Sequence, residues 1–137
     1  MFCEAIHTVS ITIKGLDPLF RKFGNVVAVK TLEPPMWRSV YRVQATMQVY
    51  PPQPADSTYI RTTTYGKRWL ARVKSASNGV TGTVGTNVPY APYVGSRMFQ
   101  TAAHRQTGWA TDASAIQQHE PAIVADFQSA IDRALAS

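Results

Sequence analysis

Leu70-Ala71-Arg72-Val73-Lys74-Ser75-Ala76-Ser77-Asn78-Gly79-Val80-Thr81-Gly82-Thr83-Val84-Gly85-Thr86 holds two β-prone runs joined at Asn78-Gly79. The Asn-Gly pair tolerates the positive φ of a tight hairpin turn, so Leu70–Ser75 and Gly79–Thr86 are expected to pair as a β-hairpin. Val73 on one arm and Val80 and Val84 on the other are expected to face the core. Gly82 and Gly85 weaken the second arm and are read as candidate bulges.

Downstream, the second arm runs into Asn87-Val88-Pro89-Tyr90-Ala91-Pro92-Tyr93-Val94-Gly95. Two prolines fix φ and remove two backbone donors, so this segment cannot extend a central strand. Tyr90 and Tyr93 present apolar faces with polar tips, a composition favoured at protein–protein contacts. The plainer reading is a rigid loop whose tyrosines close the core, and on composition alone that reading stands first. Gly95 to Gly108 is polar, lacks a clear period and exceeds an ordinary connection, which marks a mobile or functional loop. Pro121 then opens a closing amphipathic helix with Ile123, Phe127, Ile131 and Leu135 four apart and Val124, Ala130 and Ala134 beside them.

Upstream, Pro51-Pro52-Gln53-Pro54-Ala55-Asp56-Ser57 is a stiff polar connector. Before it, Met36, Val40, Val43 and Met47 recur at helical spacing, with Trp37 and Tyr41 on one flank, in a helix expected to start after a break at Glu33-Pro34-Pro35. Asn25 to Leu32 reads as a helical turn or two. Nearer the start, His7 to Lys14 alternates Val9, Ile11 and Ile13 with Thr8, Ser10, Thr12 and Lys14, the period of a half-buried strand. Gly15 stops it. Asp17 as N-cap and Pro18 at the first helical position open a short helix to Phe23, with Leu16 placed as a staple and Gly24 as the end. The expectation is an α+β domain over residues 1–137. A small antiparallel or mixed sheet, built from the N-terminal strand and the hairpin, packs against two or three helices, with the C-terminal amphipathic helix last.

Composition narrows the function. Hydrophobic residues make up 45% of the 137 and charged residues only 16%, so the chain has enough apolar material for one core but a charge-poor surface. That balance points to surface buried in an assembly. The net charge of +6 makes an anion, nucleic acid first, the expected large partner, with plain solubility an equally ready explanation. A single cysteine, Cys3, excludes an internal disulfide framework and a cysteine-cluster metal site, and fits synthesis in a reducing cytoplasm. No apolar run approaches a secretory core or a membrane span.

No cofactor fingerprint is present. Gly82-Thr83-Val84-Gly85 lacks the lysine of a phosphate-gripping loop, and His7, His104 and His119 lack the close ligand neighbours of a metal site. His104 beside Arg105 and His119 beside Glu120 would serve acid–base chemistry only if they converged in a cleft. Lys67, Arg68 and Arg72 cluster around Trp69, and Arg97 with Arg105 forms a second basic group. Such clusters suit phosphate contact without sequence readout, although a short basic run is more often a solvated strand edge that blocks unwanted pairing.

The order of parts resembles a family. Ile11-Thr12-Ile13-Lys14-Gly15-Leu16-Asp17 is similar to the strand, Gly-Leu-Asp, helix opening of small neck proteins of long-tailed bacteriophages and prophages, the tail-completion or head–tail joining proteins. Arg61-Thr62-Thr63-Thr64-Tyr65-Gly66-Lys67-Arg68-Trp69 resembles the family's Arg-Thr-Gly to Trp segment before a hairpin, with Thr63 where the family usually has glycine. Asn87 to Val94 resembles its Tyr-Ala-x-Tyr-Val signature, followed by Gln100, His104, Gly108-Trp109 and a closing helix. The central helix, interrupted at Pro34-Pro35, is shorter than in relatives.

The resemblance implies a non-enzymatic structural virion protein without cofactors. It would form a homo-oligomeric ring, a hexamer, between the capsid connector and the tail tube, with double-stranded DNA in the lumen. Its expected partners are connector or stopper proteins and tail-terminator or tail-tube proteins, with no membrane, in a virion assembled in the host cytoplasm. On this reading Tyr90, Tyr93 and Trp109 lie at subunit interfaces, and Lys67, Arg68, Arg97 and Arg105 at the DNA channel or an adjacent layer. The alternatives are a tail-terminator ring capping the tube, and a small basic nucleic-acid-binding protein or nuclease.

Overall fold

The structure is a computed structural model that describes residues 7–12, 17–57, 61–76 and 79–136. Along the chain run β1 (His7–Thr12), α1 (Asp17–Met47), α2 (Thr64–Lys67), β2 (Trp69–Ala76), β3 (Gly79–Thr86), α3 (Ala91–Gly95), α4 (Ala102–Thr107) and α5 (Asp112–Ala136). The three strands form one antiparallel sheet in the order β1-β3-β2. This is the expected α+β arrangement, an N-terminal strand and a hairpin packed with helices. Ile13, Lys14, Gly15 and Leu16, and Ser77 and Asn78 of the expected hairpin turn, lie outside the described residues.

Pairing is unbroken from Trp69↔Thr86 to Ala76↔Gly79 and from His7↔Thr86 to Thr12↔Thr81. Gly82 and Gly85 therefore mark no bulge. Gly82 serves a close approach: a Cβ there would lie 2.5 Å from Val40 Cγ1 and 2.6 Å from Met36 Sδ. Opposed positions share a face. Trp69, Ala71 and Val73 line up with Thr86, Val84 and Gly82 on the core side, while Leu70, Arg72 and Lys74 are exposed on the other.

The core side is covered by α1. Leu32, Met36, Val40, Val43 and Met47 are fully buried along one stripe, continued toward the start by Ala28 and Val29. The helix leaves helical geometry only at Gly24 (φ 75, ψ 166), where the sequence placed a stop. It does not break at Pro34-Pro35, which lie inside it, so Asn25 to Met47 is one continuous run. Each interior proline costs about 3 kcal/mol through a lost donor and a clash. Each fully buried aliphatic side chain returns roughly 1.5–3 kcal/mol, and only an unbroken helix keeps Ala28 to Leu32 in line with Met36 to Met47. Burial wins, and Pro35 itself becomes part of the core. Trp37 and Tyr41 stack at 5.5 Å on the outward flank.

α5 packs on α1 as the outer layer, burying Ala115, Ile123 and Phe127. Asp126 joins the two helices through Arg42 Nη2 at 3.1 Å and Arg38 Nε at 3.7 Å. The helix starts at Asp112, well before Pro121, because Thr111 and Ser114 cap each other. The Ser114 N–H donates to Thr111 Oγ1 (3.1 Å) and the Thr111 N–H to Ser114 Oγ (2.9 Å), a reciprocal capping box with serine in place of the usual glutamate. Of the apolar stripe expected in α5, Ile123 and Phe127 are buried and Ile131 and Ala134 pack against the core, while Val124 and Leu135 are exposed; Ala115 extends the buried side toward the start of the helix.

Gly95 to Gly108 is also not a structureless loop. Thr101 caps α4 by accepting from the His104 N–H, and Gly108 (φ 99) closes it in the left-handed conformation. Short helices of one or two turns carry little periodicity, which is why the segment reads as polar and aperiodic in sequence.

Candidate docking groove

Tyr50 follows the end of α1 and ties down the chain ahead of α2. Its hydroxyl donates to the Thr62 carbonyl and accepts from the Gly66 N–H, both at 2.9 Å. A Cβ on Gly66 would come within 2.9 Å of the Tyr50 ring. Next to Gly66, Tyr65 is buried at the centre of an aromatic cluster. It meets Trp69 edge-on at 5.6 Å and Trp109 edge-on at 5.5 Å, and stacks with Tyr90 at 6.4 Å. Edge-to-face contacts set the negative ring face against a positive ring edge. Burial first, then the neighbouring Tyr50 phenol, pushes the Tyr65 hydroxyl well above the usual phenol range, so it stays neutral. That hydroxyl rests against Gly95, where a Cβ would lie 2.5 Å from it.

The opposite wall is built by α3, α4 and the residues between. Gln100 Nε2 donates to the carbonyls of Val94 (2.8 Å) and Trp109 (2.9 Å), and the Thr101 N–H donates to the Tyr93 carbonyl (3.0 Å). These bonds fix Tyr93 and Trp109 relative to each other. Arg61 lies over the Trp109 ring at 5.1 Å and donates to the Pro51 carbonyl, so its guanidinium is positioned by a cation–π contact and a hydrogen bond together. His104 stands edge-on to Trp109 at 6.0 Å, with Nδ1 2.6 Å from Thr101 Oγ1. Burial lowers its pKa below the ordinary imidazole value, which favours the neutral ring.

Between these walls is a groove of about 410 Å³. Tyr50, Tyr65 and Trp109 line it together with Tyr90 and Tyr93, and so do Arg61 and His104. Tyr90 is 43% exposed and Tyr93 55%, so the groove lining includes aromatic surface that is not covered by the rest of the chain. A second cleft of about 350 Å³ shares Arg61, His104 and Trp109 and continues between the connector at Gln53-Pro54 and α4. Met98, 83% exposed, and Phe99 are further exposed apolar side chains, and neither lines the two clefts.

Tyr90, Tyr93 and Trp109, singled out in the sequence, therefore meet in one groove. Lys67, Arg68, Arg97 and Arg105 are exposed and line neither cleft. The Arg97 backbone N–H donates to Asp112 Oδ1 at 3.0 Å. The two histidines are held apart in role: His104 lines both clefts, while His119 sits between helices with Nε2 2.5 Å from Thr46 Oγ1 and lines neither. Tyr50, Tyr65 and Arg61 also line the groove, and nothing local in the sequence by itself marks them as site residues. The signals available were a tyrosine directly before a proline pair and an Arg61-to-Trp69 segment that carries Tyr65 and Trp69.

Among the described residues no group of three or more His, Cys, Asp or Glu is placed to hold a metal ion, and no helix is long and apolar enough to cross a membrane. Comparison with protein-family models, curated proteins and solved structures gave no match.

Proposed function

We propose that this chain is a structural assembly protein of a tailed-virus particle, a subunit of a homo-oligomeric ring, six-membered by the resemblance, between capsid connector and tail tube. The observation that carries the reading is a convergence. The segments Arg61–Trp69, Asn87–Val94 and His104–Trp109, which bear the resemblance and are separate in sequence, contribute to one aromatic groove and its floor. The groove's rim is open, and its frame is held by the protein's own hydrogen bonds. Pre-ordered aromatic side chains lose little entropy on docking, the property expected of a contact surface. In the ring, Tyr90, Tyr93 and Trp109 meet a neighbouring subunit or layer, and the exposed basic residues give the assembly a positive field around the DNA path.

The test is positional. A reconstruction of particles carrying this chain is expected to place it as a ring in the neck, with genes for portal, capsid and tail-tube proteins beside its own. A locus without any of those genes, or a chain located outside the particle, overturns the reading.

A further inference from the structure

We propose that the groove and its continuation past Trp109 bind an extended, acidic, proline-bearing segment of a neighbouring protein. This rests on the assembly reading above and names the partner chemistry of the same site.

Shape gives the first argument. The two clefts share Arg61, His104 and Trp109 and so adjoin at those three residues. That outline suits an extended chain, which advances about 3.1 Å per residue in the polyproline conformation, better than a compact small molecule. The walls give the second. Tyr90 and Tyr93, each about half exposed, line the groove together with Trp109. Pyrrolidine rings pack on such aromatic surface, and a polyproline segment has little conformational freedom left to lose.

Charge selects the rest of the segment. Among the described residues neither cleft is lined by a carboxylate, while Arg61 lines both. Its guanidinium is held by Trp109 and the Pro51 carbonyl, and a fork of five donors reaches beyond one carbonyl to a carboxylate. A single-stranded nucleic acid fits less well. A phosphate backbone calls for a line of cations, and Lys67, Arg68, Arg97 and Arg105 lie outside both clefts.

The experiment follows the Trp109 indole resonance of the ¹⁵N-labelled full chain. Its probes are a capped peptide alternating Pro-Pro with Glu or Asp, the same peptide with Lys at the acidic positions, and an oligothymidylate of similar length. The acidic peptide is expected to shift Trp109 saturably, with a Kd below about 1 mM. The lysine peptide should bind at least about tenfold more weakly, as should the acidic peptide to Tyr93→Ala, whose remaining spectrum stays in place. Arg61→Gln should erase the preference between the two peptides. Three results would each overturn the inference: no saturable shift with either peptide, tighter binding of the oligothymidylate at Trp109, or a Trp109 shift on raising protein concentration alone that the acidic peptide does not reverse. A chain found in the neck of particles whose groove takes no peptide overturns this inference and leaves the assembly reading standing.

Discussion

Tyr65 and Gly95 show how single atoms fix the groove floor. The Tyr65 ring is wedged edge-on between Trp69 and Trp109 and cannot retreat from a new methyl group. Gly95→Ala would place a carbon 2.5 Å from the Tyr65 hydroxyl and 3.0 Å from Met47 Cε. Overpacking of this kind costs about 1–3 kcal/mol, to be read as a lower urea midpoint with an unchanged slope. His104 supplies a pH dependence. Burial lowers its folded-state pKa, so the unfolded chain binds the proton more readily. The stabilisation from the neutral ring is present above the ordinary value of about 6.5 and is lost as pH falls through the lower folded value. Urea midpoints at pH 7.5 and pH 5 should therefore differ more in the wild type than in His104→Asn. Equal differences in the two proteins would remove His104 as the cause.

The elements differ in how openly the sequence declares them. The hairpin and β1 were legible because a period of two and turn-forming residues between two β-prone runs are local signals, although Gly79 pairs with Ala76 as a strand residue and lacks the positive φ that the Asn-Gly pair suggested. The helix stop at Gly24 was legible for the same reason. The passage of α1 through Pro34-Pro35 was not, because the proline penalty is local and the buried stripe that outweighs it appears only once the sheet is in place. Gly82 looks like a bulge in sequence, since close approach of Val40 and Met36 leaves no trace along the strand. The groove divides similarly. Tyr90 and Tyr93 stood out as aromatics on a proline-fixed turn, whereas Tyr50 is joined to Trp109, at 5.0 Å, only by the fold. The start of α5 was missed because its capping box uses Ser114. Thr111→Ala removes the oxygen that accepts from the Ser114 N–H, at a cost of about 0.5–2 kcal/mol. Hydrogen exchange should then rise across the first turn after Asp112 and little beyond His119. Uniform protection along α5 would mean the box does not hold that end.

At the scale of the whole molecule, the sheet, α1 and α5 form the stable frame, and the groove and the basic residues lie on its surface. Substitutions at those surface sites should separate folding from assembly. Tyr90→Ala and Tyr93→Ala remove side chains that are already about half exposed, so each should lower stability by less than about 1 kcal/mol. Under the ring proposal both variants should be depleted from purified particles. Incorporation at wild-type levels would count against the groove as a contact surface. The basic residues allow a parallel test. Arg97 holds Asp112 through its backbone N–H, which Arg97→Gln preserves, and Arg105→Gln changes an exposed residue of α4. Each substitution removes one positive charge, so the pair takes the net charge from +6 to +4, and a ring repeats that loss in every subunit. Exposed charges contribute little to folding, so stability should stay within about 0.5 kcal/mol of wild type. If these side chains face the DNA path, the double variant should change the salt dependence of genome retention, because fewer phosphate contacts release fewer counterions. A retention curve that overlays the wild type across salt would place both arginines away from the DNA, while leaving the aromatic groove's role to the particle experiment.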